Sequence, residues 1–266
     1  MIQENVLIML RALKDLVRYR ALVHYLVLLD LRTRYRSSFL GFFWTLLNPI
    51  LLMLVMWAVF SRVARVQEDN YALFLLSALM VWTFFQQSVE RSLSIIVQNG
   101  ELIKSTYVPK VVFPIALVVS NFVNMLLFLV AYIIIALPTS HGIPWTLCLL
   151  PIVLTMLLLI SSGATLLMSA LTVFFRDFVH LTSVILRALF YATPVLYPPE
   201  ILGTEFARLL KFNPMYYPVQ ATRDVLYAGM LPGMIDYGIG FSMAMLIFVL
   251  GLLVFSRIQD RFIYYL

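Results

Sequence analysis

Charge is what this 266-residue chain has least of: Asp, Glu, Lys and Arg make up 12% of it, about half the share usual in soluble domains. No water-soluble domain of this size could hide the 62% of residues that are apolar, so the low charge and a mean hydropathy of +0.95 leave a polytopic membrane protein. The single cysteine, Cys148, excludes an internal disulfide and a cysteine cluster for metal. Three histidines, His24, His141 and His180, lie too far apart for metal-ligand spacing. No two carboxylates share a helical face inside an apolar stretch, which leaves an intramembrane transferase as the residual enzymatic alternative. The phosphate-binding pattern G-x-x-x-x-G-K-[ST] is absent; Gly100 followed by Lys104-Ser105 lacks the second glycine and the preceding strand. ATP hydrolysis, if the chain depends on it, belongs to a separate subunit.

What is present is a series of apolar runs long enough to cross about 30 Å of hydrocarbon, which takes roughly 20 residues. The expected spans are 39–60, with Asn48-Pro49 favouring a kink, a long helix from Tyr71 to a stop at Asn99-Gly100, and then 111–137, 145–175, 179–196 and 235–255. Six crossings use so much of the chain that no separate catalytic domain fits. The chain is read as one transmembrane domain over 1–266, with an interfacial segment 1–36, a permease core 39–255 and a tail 256–266. Residues 22–36 pair bulky apolar groups with Arg32, Arg34 and Arg36, the pattern of an interfacial helix. Arg11, Lys14, Asp15, Arg18 and Arg20 interrupt the apolar start and argue against a cleavable signal.

Thirteen Lys and Arg fall on one side of this map and five on the other, which predicts both termini in the cytoplasm. The net charge of +6 is accounted for by residues flanking spans and facing anionic lipid, so no nucleic-acid partner is expected. The stretch 197–232 breaks the pattern. It holds five prolines and two apolar pieces, 206–212 and 219–226, too short to cross, and is expected to form two short re-entrant helices toward the outer leaflet.

Two groups of side chains are candidates for function. Arg187 is the one basic residue well inside a span; it shares a helical stripe with His180, Ser183 or Val184, and Tyr191, and three readings are open to it: facing a wet pathway, pairing with Glu90 on the second span, or burial at a helix contact. Aromatics are abundant at 14%. Tyr71, Phe74, Trp82 and Phe85 fall on one face of the second span, and Phe42, Phe43 and Trp44 open the first; such rings either anchor spans at the interface or stack on sugars in a conduit. The polar stripes Ser120, Asn121, Asn124 and Ser162, Thr165, Ser169, Thr172, with Gly163, read as helix-packing surfaces.

Five segments in order, DLRTRYRSSFLGFFWTLLNPILLMLV (30–55), NGELIKSTYVPKVVFP (99–114), VFFRDFVHL (173–181), YATPVLYP (191–198) and FNPMYYPVQATRDVLYAG (212–229), resemble the membrane permeases of type-2 ATP-binding cassette exporters. The likeness is strongest to those exporting O-antigen and teichoic-acid type polymers, and runs from about residue 22. It implies an all-α fold of six spans, a homodimer, and two copies of a separate nucleotide-binding ATPase that holds ATP and Mg, with no cofactor in this chain. By the same likeness Glu101, Leu102, Ile103 and Lys104 would form the cytoplasmic element pressing into the ATPase, with Arg176-Asp177 as a smaller contact. Phe43, Trp44, Trp82, Phe85 and Tyr191 would line the path, and Asn213, Pro214, Tyr216 and Tyr217 would close its outer end. Residues 1–20 look like an added extension.

The sequence therefore points to a subunit in the bacterial cytoplasmic (inner) membrane that moves a lipid-linked glycan or polyol-phosphate polymer. The alternatives are a small-molecule or lipid exporter of the same superfamily and an ion-coupled transporter using Arg187 and Glu90.

Overall fold

The computed structural model describes residues 11–12, 14–36, 41, 43–63, 70–139, 142 and 144–266, and among them every regular element is helical. In chain order these are α1 (Arg20–Tyr35), α2 (Phe43–Val63), α3 (Tyr71–Gln98), α4 (Gly100–Ser105), α5 (Val112–Ala136), α6 (Leu150–Phe174), α7 (Phe178–Tyr191), α8 (Gly203–Leu210), α9 (Tyr216–Arg223) and α10 (Met234–Ile258). A 3₁₀ turn, Trp145–Leu149, leads into α6, a second, Pro199–Leu202, into α8, a π turn, Asp224–Ala228, follows α9, and a third 3₁₀ turn, Gln259–Tyr264, follows α10. The expected exit loop after the first span lies mostly outside the described residues.

Among the described residues, four helices are long and apolar enough to cross a membrane: Tyr71–Gln98, Val112–Ala136, Trp145–Phe174 and Met234–Tyr264. They cover four of the expected runs, three of them within a residue or two at each end, while the last continues nine residues past the expected end at Phe255. Within α2 the apolar stretch is Ile50–Val59, and α7 is a shorter apolar helix.

The fifth expected run, 179–196, is helical only over its first part. Its helix stops at Tyr191 after 14 residues, about 21 Å at 1.5 Å per residue. Pro194 follows, with no N–H to continue the ladder. The next residues turn inward: Val195 and Leu196 are buried, and the Leu196 carbonyl accepts the Tyr71 hydroxyl at 2.7 Å. Tyr71 is the first residue of α3 and Phe178 follows the turn that ends α6, so residues 178–196 reach from one end of the bundle to the other.

The centre of the bundle is α3. Asn70 caps its start by accepting from the Leu73 N–H, and its sides touch α2, α5, α6, α7 and α9. In its most apolar window 78% of residues are buried, against 28% in α10, so α3 is core and α10 is periphery. A helix, α1, covers nearly all of the stretch 22–36 and lies along α5.

Both short helices expected in the stretch 197–232 are present, each displaced toward the N-terminus. They are not equivalent: α9 is buried against α3 and α6, whereas α8 leaves Phe206 and Leu209 on the surface.

Apolar side chains gain nothing by leaving lipid for another apolar helix, so close approach must hold membrane helices together. The tightest approach here joins α6 to α10. A Cβ on Gly251 would lie 2.1 Å from the Gly163 carbonyl oxygen, and one on Gly163 would lie 2.4 Å from that of Ile247. Gly251→Ala should therefore force the helices apart and cost about 1–3 kcal/mol. Gly238→Ala, on the same helix with nothing within 4 Å of the new methyl, should be neutral or gain up to about 1 kcal/mol from helix propensity. Thermal unfolding of the detergent-solubilised chain distinguishes the two, and equal midpoints would contradict the crossing.

Candidate functional site

One end of the bundle collects Arg34, Arg91, Lys104, Lys110, Arg176 and Arg257, and two exposed turns project from it. The first contains α4. Asn99 interrupts the long helix, its Nδ2 donating to the Ile95 carbonyl at 2.8 Å, and the chain re-enters a helix at Gly100. Ile103 is the buried face of this turn, set among Val111, Phe113, Phe255 and Phe262. Glu101, Leu102 and Lys104 are exposed, and Tyr107, at 94% exposure, stands almost wholly free of the chain. Lys110 ties the turn down by donating to the Gln259 carbonyl at 2.9 Å. Burial lowers the Lys110 pKa, with Asp260 acting in opposition. The second turn holds Arg176 and Asp177, both exposed between α6 and α7.

Behind these turns lies a polar knot that the sequence reading missed. Asp30 on α1 accepts from Arg34 at 3.0 Å, from both Arg91 amino groups, and from the Ser120 hydroxyl on α5. Asn121 adds its carbonyl as acceptor for Arg34 at 2.8 Å and Arg91 at 3.2 Å, and donates to Ser88 at 3.2 Å. Ser120 and Asn121 thus bind charged partners on other helices, beyond the packing role read for them. The available signal was Asp30 itself, an acid inside an apolar amphipathic run, four residues before Arg34.

The candidate path residues divide into two groups. Phe43, Trp44 and Tyr191 are exposed on α2 and α7, while Trp82 and Phe85 are buried, Trp82 in ring contact with Phe85 at 5.9 Å and with Phe190 at 5.4 Å. Tyr191 meets Phe190 edge-on at 5.4 Å, so the surface ring rests on a partly buried one. His180, Val184, Arg187 and Tyr191 share the exposed face of α7. Arg187 and Glu90 form no ion pair; Glu90 instead accepts from Gln86 Nε2 at 2.9 Å, and Gln86 Oε1 accepts the Trp82 indole N–H at 2.7 Å. Thr83, Gln86, Gln87 and Glu90 are the strip of α3 left accessible in its second half before Arg91, and α2 and α7 both pack against this helix. A polar strip on the central helix, near two helices with exposed aromatics, is wettable and offers ring faces.

At the opposite end the stretch 197–232 packs, through α9, against α3 and α6. Asn213 is a bracket: its Nδ2 donates to the Ala192 carbonyl at 3.1 Å and Thr193 Oγ1 at 2.8 Å, and its Oδ1 accepts the Met215 N–H at 2.9 Å. Pro214 is half-buried; Tyr216 and Tyr217 are buried edge-to-face, and the Tyr217 hydroxyl donates to the Lys211 carbonyl at 2.9 Å. Two residues not singled out in the sequence tie this stretch to the spans, Tyr132 donating to the Leu226 carbonyl at 2.9 Å and Thr146 to the Val225 carbonyl at 2.6 Å, and Tyr71 of the aromatic stripe holds Leu196 just before it. Arg223 is buried, its guanidinium 3.7 Å from the Phe74 ring centre and donating to the Val195 carbonyl at 2.6 Å. Burial also pushes the Asp224 carboxyl up to about 6, against the Gln220 hydrogen bond and the Arg223 charge.

The ABC-2 type transporter family model matches residues 22–227, from near the start of α1 to the π turn after α9. The chain is 35% identical over 226 residues to the O-antigen export system permease protein RfbA of Myxococcus xanthus, covering 84% of this chain and 87% of that one. It is 30% identical over 237 residues to RfbA of Klebsiella pneumoniae, covering 88% and 90%. The polysialic acid transport protein KpsM of Escherichia coli is 25% identical over 228 residues, covering 83% and 85%. A helical bundle with two exposed basic-end turns, a cap at the other end and this family match over most of its length belongs to the ABC-2 type transporter family.

Proposed function

We propose that the chain is the membrane-spanning permease subunit of an ATP-driven exporter, moving a lipid-linked polysaccharide or teichoic-acid type polymer outward across the bacterial cytoplasmic membrane. The likeness to O-antigen export permeases along most of the chain is the observation that carries this reading. Two permeases and two ATPase subunits assemble, and the ATPase holds ATP and Mg. Both termini lie in the cytoplasm with the basic end, and α2 and residues 178–196 supply the two crossings beyond the four long helices. The stretch 197–232 is re-entrant from the outer side. A second copy covers the exposed apolar faces of α2 and α7, giving the conduit two sets of Phe43, Trp44, Arg187 and Tyr191. Rings accept sugar faces of many polymers without fixing one sequence of sugars. Trp82 and Phe85 support the lining from behind in this conformation, and the cap with Asn213, Pro214, Tyr216 and Tyr217 closes the outer mouth.

The alternative exporter of small lipids gains nothing from the polar strip on α3. The ion-coupled alternative loses its motivating pair, because Glu90 is bound by Gln86 and not by Arg187.

Co-expression with the cognate ATPase tests the assembly. A stable two-plus-two complex is expected in nanodiscs, and the double charge reversal Glu101→Lys with Lys104→Glu should reduce ATPase capture at least about tenfold, since both side chains are exposed and add little to folding. Capture unaffected by the reversal would remove the coupling role.

A second expectation separates lining from support. Tyr191→Ala should leave thermal stability unchanged and lower polymer export, whereas Trp82→Ala should destabilise the chain by about 3–5 kcal/mol through a core cavity. Full export by Tyr191→Ala would count against the lining.

A further inference from the structure

The segment 259–266 touches both basic-end turns at once. On one side the Leu266 side chain lies 3.5 Å from the Cβ position of Gly100, the first residue of α4, and the Gln259 carbonyl accepts from Lys110 at the far end of the same turn. On the other side Phe174, the last residue of α6 and two before Arg176, meets Phe262 at 5.8 Å and Tyr265 edge-on at 4.7 Å. Phe262 is fully buried and also meets Phe255 of α10 at 5.4 Å, in the same cluster as Ile103. The segment is itself stiffened, because the Phe262 carbonyl accepts the N–H groups of both Tyr265 and Leu266. An aromatic wedge of this kind transmits displacement, since packed side chains shift together and do not compress.

We infer that residues 259–266, with Phe262 as the pivot, are a strut that makes α4 and the Arg176-Asp177 turn move as one body and passes that movement into α10. Phe262 is a positioning residue. The inference rests on the proposed coupling of these turns to an ATPase. A push on Glu101, Leu102 or Lys104 then reaches α6 through Phe262 and Phe174 as well as α5 through the chain. Without the wedge the two turns are joined only through their separate helices, and part of each ATPase stroke is lost as independent motion.

Two measurements test the strut. Spin labels on the exposed Ser105 and His180, placed in the full-length permease alone in nanodiscs, should give one narrow distance distribution that broadens in Phe262→Ala and narrows again in Phe262→Leu. In the complex with its ATPase, Phe262→Ala should retain ATP hydrolysis while polymer exported per ATP falls about tenfold. Tyr265→Ala and Leu266→Ala remove only the edges of the wedge and should show the same direction of change; they decide the matter if Phe262→Ala fails to fold. A distribution that stays narrow in all these variants, or export and hydrolysis falling in proportion, would overturn the strut. If no ATPase associates, the proposed coupling fails while the distance measurement still decides whether the turns are tied.

Discussion

The Asp30 carboxylate is the interaction on which the basic end of this molecule depends. It gathers donors from three helices, Arg34 of α1, Arg91 of α3 and Ser120 of α5, and charge-assisted hydrogen bonds of this kind are roughly twice as strong as neutral ones. Around it Asn121 and Ser88 complete a connected network. In lipid, such bonds and close backbone contact do the work that apolar burial does in water. The knot joins the C-terminal half of α3 to the N-terminal half of α5, and α4 lies in the connection between those two helices. Whatever moves α4 therefore moves it against a frame that Asp30 holds.

Four kinds of contact organise the bundle. The basic end is bound by ions and by the aromatic wedge at Phe262, the middle by the glycine crossing of α6 with α10, and the far end by hydroxyls of Tyr71, Tyr132 and Thr146 on the carbonyls of Leu196, Leu226 and Val225. The outcome is a firm block of α3, α5, α6 and α10 beside which α2 and α7 stand with aromatic and apolar faces uncovered. That asymmetry is what the proposed permease requires: a block that would transmit force, and uncovered helices that would meet the substrate and a second copy.

Much of this was legible in the residues. The four long helices follow from run length alone, and sorting Lys and Arg separated the two ends that the structure joins internally. The break in the fifth run was not, because Thr193-Pro194 sits within apolar residues and only the contacts of Val195 and Leu196 show that the chain turns inward. Resemblance marked α4, whose Glu101 and Lys104 are exposed; that Ile103 is its anchor depends on Phe262, far away in sequence. The aromatic stripe of α3 was visible as a stripe, but which of its rings reach a surface depends on what packs against α3, and Trp82 and Phe85 proved to be inside. Asp30 escaped notice because Arg91 and Ser120 are 61 and 90 residues from it.

The most direct test of the whole account is translocation in proteoliposomes holding the permease, its ATPase and a lipid-linked polysaccharide supplied on the ATPase side. The account predicts that polymer becomes accessible on the opposite face only with hydrolysable ATP, and equally with the membrane potential collapsed. Translocation that follows the potential and needs no ATPase would contradict it.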